Sequence, residues 1–222
     1  MIYAAAEHEF EASLGLPAAL PKGERIIWQG SPDAKSLTRH AFHVPKLAAY
    51  FALLLVLRGV FAIADGVGVG VAEALRSVAL LAPLAAIGVA LVALIAWLVA
   101  RSAVYTLTNR RVVMRVGIVL NVTFNLPLKT IGSAGLKLHS DGTGDIPLTL
   151  TTEDNIAYPH LWPHVRPWQL KRTQPMLRCV PHAARVGQLL AEAAAIENSA
   201  LSHSTINGNL PQNAQDERAA AA

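Results

Sequence analysis

Residues 78–99 read VALLAPLAAIGVALVALIAWLV, a run without a single charge, and its length decides the class of fold. At ~1.5 Å of rise per residue, a helix over this run is about 33 Å long, against a bilayer hydrocarbon core of roughly 30 Å. The run predicts a membrane-spanning helix. Residues 47–64 form a second apolar stretch upstream, and the connection DGVGVGVAEALRS at 65–77 leaves room only for a helical hairpin. A hairpin returns the chain to the side it left.

The basic residues around the hairpin give that side. Lys35, Arg39 and Lys46 precede the first apolar stretch and Arg101, Arg110, Arg111 and Arg115 follow the second, whereas the connection holds only Arg76 beside Asp65 and Glu73. Cytoplasmic flanks carry the excess of lysine and arginine, so both termini are expected in the cytoplasm. More than forty polar and mixed residues come before the first stretch. They argue against a cleaved signal peptide.

Composition sets limits on the rest. With 222 residues, 53% hydrophobic and 6% aromatic, the chain holds two spans and one modest soluble domain. The net charge of +4 suits a domain beside anionic lipid better than a nucleic-acid stripe. Cys179 is the only cysteine, which excludes an intramolecular disulfide, and the expectation is that no cysteine-based zinc site forms.

Outward from the hairpin the chain turns to strand patterns. Residues 104–108 and 111–116 are β-branched runs broken by Thr108-Asn109-Arg110, which predicts a β-hairpin. After Gly117, residues 118–126 and 131–139 alternate and are read as strands, as are Ile146, Leu148 and Leu150 after a turn at 141–145. Glu153-Asp154-Asn155 reads as a turn, and a last strand is expected over 156–160. Residues 181–195 place Val186, Leu189, Leu190 and Ala193 at helical spacing, predicting a capping helix. ERIIWQ at 24–29 reads as an early strand of the same sheet, so the hairpin interrupts the domain. The expected organisation is an N-terminal cytoplasmic segment (1–46), a hairpin (47–99), a soluble domain (100–196) and a disordered tail (197–222).

Several segments carry a resemblance. HEFEASLGLPAALPKGERIIWQGSPD, AFHVPKLAAYFALLL, VYTLTNRRVVMRVGI, NLPLKTIGSAGLKL, DGTGDI and YPHLWPHVRPWQLKRTQPMLRCVP, which lie within residues 7–195, are similar to the membrane-anchored bacterial pleckstrin-homology-like proteins. Within that family they resemble the photosynthetic complex assembly proteins of purple phototrophic bacteria. The resemblance implies a membrane-anchored α+β fold: a two-helix transmembrane hairpin inserted in an antiparallel β-sandwich or open barrel with a C-terminal capping helix. It also implies an inner, intracytoplasmic photosynthetic membrane, and a role in assembling the reaction centre with its core antenna without taking part in the chemistry.

Catalytic constellations are sparse. His160 and His164 have an H-x₃-H spacing, but Pro159 and Pro163 oppose the helix that would put both imidazoles on one face, and an acidic third ligand is missing. Gly66, Gly68 and Gly70 follow no strand and read as an external turn rather than a phosphate loop. Asp141 and Asp145 lack the remaining oxygens of a calcium loop. No G-x-S-x-G elbow occurs. The chain reads as no enzyme, with no cofactor and no metal.

The candidate contacts are of another kind. Arg58 interrupts the first apolar stretch at a cost of roughly 2.5–3.5 kcal/mol near a bilayer centre, so it either snorkels to head groups or pairs with a client helix. Pro83 is expected to kink the second span. Neither apolar run holds a histidine for pigment, and His40 and His43 stand only at the border. Arg111 and Arg115, with Arg110 and Lys129, face acidic lipid or a client, or form an ordinary solvated face. His160, Trp162, Arg166 and Trp168 make an aromatic and basic stretch suited to an interface. The expected partners are reaction-centre and core-antenna subunits, anionic membrane lipid or a second copy of the chain. The other class of reading is a lipid-binding module of general role.

Overall fold

The computed structural model describes residue 16 and residues 20–64, 70–151 and 156–208, with side chains as far as 199. Strand β1 (Ile26–Gly30) leads through a short helix α1 (Ala34–Ser36) and a π-helical turn at Leu37–Ala41 into the apolar helices α2 (Val44–Ala64) and α3 (Val71–Ser102). Strands β2 (Val104–Thr108), β3 (Arg111–Val116), β4 (Val122–Pro127), β5 (Ile131–Ala134), β6 (Lys137–Leu138) and β7 (Thr143–Leu150) follow. The chain then passes through a short helix α4 (Tyr158–Leu161) to strand β8 (Met176–Pro181) and helix α5 (Ala183–Gly208).

One antiparallel sheet runs β1-β2-β3-β4; in the other, β7 pairs with β5 and β6 in turn and with β8. Because β1 pairs with β2 across the whole hairpin, the apolar helices are an insertion within the β-sheet domain. A bulge between Ile26 and Trp28 lets the adjacent Ile27 and Trp28 both pack on the core. That core lies between the sheets, from Tyr105, Leu107, Val112, Met114 and Leu126 on one side to Ile146, Leu148 and Leu177 on the other. Ala183, Val186, Leu190 and Ala193 of α5 close its end as one helical stripe.

Local chemistry explains the turns. The Thr108 hydroxyl accepts the amides of Arg110 and Arg111 at 3.2 and 3.0 Å, closing the β2–β3 hairpin. Gly117 holds φ at +123°, and a Cβ there would stand 2.0 Å from the Leu120 carbonyl oxygen. Only glycine permits that turn.

Helices α2 and α3 pack along one another, with Val78 facing Gly59. Each is long and apolar enough to cross a membrane, and Val56, Phe61, Leu84, Ile87 and Leu91 are exposed on their outer sides. Pro83 lies inside an unbroken α3. At the base of the pair, Leu37, Val99, Ala100 and Cys179 form a second small core that joins the hairpin to β8.

Several expected boundaries move. The 118–126 strand begins only at Val122, and 131–139 divides into β5 and β6. Residues 158–160 of the strand expected over 156–160 belong instead to α4, because Pro159 in its first turn lacks the amide that a strand ladder needs and fits a helix start. The final strand is β8. Helix α5 continues to Gly208, past the boundary expected at 196; the rest of the expected tail, the 153–155 turn and Asp65 lie outside the described residues.

Candidate functional site

The loop between β7 and β8 carries the most exposed aromatic surface outside the apolar helices. Trp162, Trp168 and Leu170 are 54%, 93% and 65% exposed. Such surface on a loop is costly in water and marks contact with another apolar body. Its rim is basic, with Arg166, Lys171 and Arg172 exposed.

A buried polar clamp holds this loop in place. The Tyr105 hydroxyl accepts the Arg178 amide at 3.3 Å, so its own proton goes to His164 Nδ1 at 2.5 Å. Both rings are fully buried. Burial pushes the Tyr105 phenol far up, while burial and then the Arg178 charge push His164 down to about 3. His164 is therefore a neutral structural acceptor. Arg178 donates to the Pro163 carbonyl at 3.1 Å, Val165 bridges Pro175, and the Arg166 guanidinium donates to Gln174 Oε1 at 2.9 Å. The Trp162–Pro163 peptide is cis.

The loop stands at the root of the hairpin. Trp162 packs edge-on against Phe42, two residues before α2 begins, with ring centroids 5.7 Å apart. Ala41, His43, Trp162, Trp168 and Leu170 line a groove of about 420 Å³. In the last turns of α3 the Arg101 guanidinium lies 5.4 Å from the Trp97 ring. Tryptophan and basic side chains at the ends of apolar helices are the residues that settle at a membrane–water boundary.

The other candidates separate from this patch. Arg111 is an internal brace: its Nε and Nη2 donate to Glu24 Oε1 and Oε2 at 2.8 and 3.1 Å, and Nη1 reaches Asn125 at 3.4 Å. Burial opposes ionisation of Glu24, but the bonds from Arg111 and Thr108 and the arginine charges outweigh it and hold the carboxyl below its usual range. The two-toothed pair with a covered carboxylate engages Arg111 within the domain, with its side chain 27% exposed. Arg115 is half-buried beside Asn121, while Arg110 and Lys129 are exposed. His160 is exposed and His164 is buried against Tyr105, so the H-x₃-H pair converges on no common point. Arg58 is exposed on the side of α2, and no ion pair reaches it among the described residues.

A polar cluster beneath the hairpin escaped the sequence reading. His40 and His139 stack with centroids 4.1 Å apart and planes within 6°. His139 Nε2 lies 3.3 Å from Asp145 and His40 Nε2 lies 3.4 Å from Asp141. Thr143 bonds Asp141, Ser36 bonds Thr143 at 2.6 Å, and Cys179 donates its amide to Asp145 at 2.9 Å. Hydrogen bonds from Thr143 foremost draw the Asp141 carboxyl down to about 2. The only sequence signal was the polarity of these residues, because the contacts that join Ser36 to Thr143 and Asp145 to Cys179 cross 107 and 34 positions.

Comparisons with known proteins agree with this architecture. A family model described as bacterial PH domain matches residues 47–194, which include most of the hairpin and strands β2 to β8. The chain is 37% identical over 190 residues to a Rhodobacter capsulatus protein described as an uncharacterized 23.7 kDa protein in the puhA 5′ region, covering 85% of this chain and 87% of that one. No solved structure matches the chain. Its sheets, terminal helix and family match place it together: this chain belongs to the bacterial PH domain family.

Proposed function

We propose that this protein is a non-enzymatic membrane assembly factor for the photosynthetic reaction centre and its core light-harvesting antenna. The hairpin α2–α3 sits in the bacterial inner membrane, in its intracytoplasmic photosynthetic part, and both termini are cytoplasmic. Outer faces as apolar as those of α2 and α3 have no cover within the described chain and match lipid in length. The arginines and lysines flanking the helices support this orientation.

The observation that carries the reading is the clamped Trp162–Trp168 loop at the foot of that hairpin. It sets a rigid aromatic surface where a client's membrane helix meets the cytoplasm, and aromatic anchors of this kind dominate binding energy. The resemblance of the sequence supports this client class, as does the puhA 5′ region named for the relative. A second reading, a general lipid-binding module, is favoured by the exposed basic rim of Arg166, Lys171 and Arg172.

The test is affinity purification of the tagged protein from solubilised membranes of cells building photosynthetic complexes, with mass spectrometry of what is retained. Reaction-centre and core-antenna polypeptides should be enriched over those held by an unrelated tagged membrane protein. Retention of anionic lipid alone sinks the direct-contact form and favours the lipid module.

A further inference from the structure

At the junction of β7 and β8 the ladder contains a bulge. Gly144 pairs with Val180 and Ile146 with Leu177, so Asp145 faces the two residues Arg178 and Cys179. Cys179 holds φ at +48°, a left-handed conformation unusual for a side chain with a Cβ. Its amide donates to Asp145 Oδ1 at 2.9 Å and its carbonyl accepts the Asp33 amide at 2.9 Å. Strain maintained by such bonding is a reason to ask what the site does.

The same bulge brings together three donors. One ligand atom each from His139, Asp145 and Cys179 lies within 4.8 Å of the other two. His139 and Asp145 have side chains only 6% and 8% exposed, and their facing atoms are 3.3 Å apart. Despite that, His139 Nε2 is buried without any hydrogen bond. Two ligands held at about 2.0–2.1 Å from a tetrahedral ion stand roughly 3.3 Å from each other. A buried imidazole nitrogen beside a carboxylate at this distance, with no bond between them, has the spacing of two ligands on one ion.

We infer that His139, Asp145 and Cys179 form a binding site for a divalent ion of zinc type, with the fourth position open. The nitrogen, oxygen and sulfur donors suit a borderline-soft ion and do not suit magnesium or calcium. The sulfur must approach to about 3.6 Å from the other donors, a side-chain adjustment. Beside His139 and Asp145 lies an open cleft of about 800 Å³ that Lys46, Lys137, Arg166 and Arg178 also line, which leaves room for water or an exchangeable anionic ligand.

Binding balances with one proton. A cysteine ligates a metal as thiolate, so the Cys179 thiol must give up its proton on binding. The S–H bond breaks as the sulfur–metal bond forms, and the proton leaves to solvent. The consequence is mechanical, because Cys179 belongs to the small core with Leu37, Val99 and Ala100. An ion there would clip β6, β7 and β8 together at the root of the apolar helices.

The experiment uses the full chain in detergent, without a histidine tag, stripped by a chelator and titrated with Co²⁺ by absorption and with Zn²⁺ by calorimetry. One ion per chain is expected, with a thiolate-to-cobalt charge-transfer band and release of about one proton near neutral pH. Cys179→Ser should abolish the band, and His139→Gln should weaken Zn²⁺ binding more than about tenfold. Because Cys179 is the only cysteine, the wild-type spectrum decides the matter even if the variants fail to fold. No binding, or binding without the thiolate band, overturns the proposal and leaves surface histidines as the ligands.

Discussion

Tyr105 of β2 and His164 of the β7–β8 loop share a buried hydrogen bond of 2.5 Å, although 59 positions separate them. That bond fastens the aromatic loop to the central sheet. Tyr105→Phe leaves His164 Nδ1 and the Arg178 amide without a partner, and is expected to cost about 1–3 kcal/mol in unfolding stability of the detergent-solubilised protein. A loss below a few tenths would show that the loop is held elsewhere.

The same histidine gives an acid dependence. Its folded pKa is depressed to about 3 from the usual 6.5, so in that interval the unfolded chain binds a proton that the folded chain does not. Stability contributed by the neutral form is therefore present above about pH 6.5 and declines as pH falls, by about 1.4 kcal/mol per unit. Thermal unfolding followed between pH 7 and 4 should show this slope, and His164→Gln should flatten it.

Glu24 and Arg111 join the segment before β1 to β3. Arg111→Ala removes both teeth of the pair and is expected to destabilise by about 1–3 kcal/mol, while Arg115→Ala costs less. Since the Glu24 carboxyl is held below its usual range, its contribution is present above pH 4.5 and is lost as pH falls through the folded pKa. Equal losses from both substitutions in chemical denaturation would contradict the bracing role of Arg111.

Trp168 is almost wholly exposed, so Trp168→Ala should leave the unfolding temperature unchanged. Under the assembly reading, the Trp162→Ala, Trp168→Ala pair lowers retention of reaction-centre and antenna polypeptides at least about tenfold, the scale of one anchor. Under the lipid reading it instead lowers binding to anionic vesicles, together with a loss of binding as salt is raised.

Arg58→Leu separates the two roles left to that residue. If the guanidinium only reaches for head groups, membrane insertion improves and client capture is unchanged; if it pairs with a client helix, capture falls while insertion is kept. Quantitative mass spectrometry of the retained subunits reads the difference.

Sequence alone determined the apolar hairpin, the β2–β3 pair and the buried stripe of α5. Each is written locally: a charge-free run longer than a bilayer, a turn residue between β-branched runs, and apolar residues at helical spacing. The insertion of the hairpin after β1 was legible too, because Ile27 and Trp28 cannot be left in water.

Only the tertiary structure decided what the polar residues do. Alternation put Arg111 and Arg115 on one face but said nothing of Glu24, which reaches Arg111 from before the hairpin. Strand β8 was hidden since its bulge breaks the period of two, leaving Met176, Leu177, Cys179 and Val180 all buried. The meeting of His139, Asp145 and Cys179 arises from that bulge. Such contacts join distant parts of the chain, and their energies come from burial and geometry that no local pattern records.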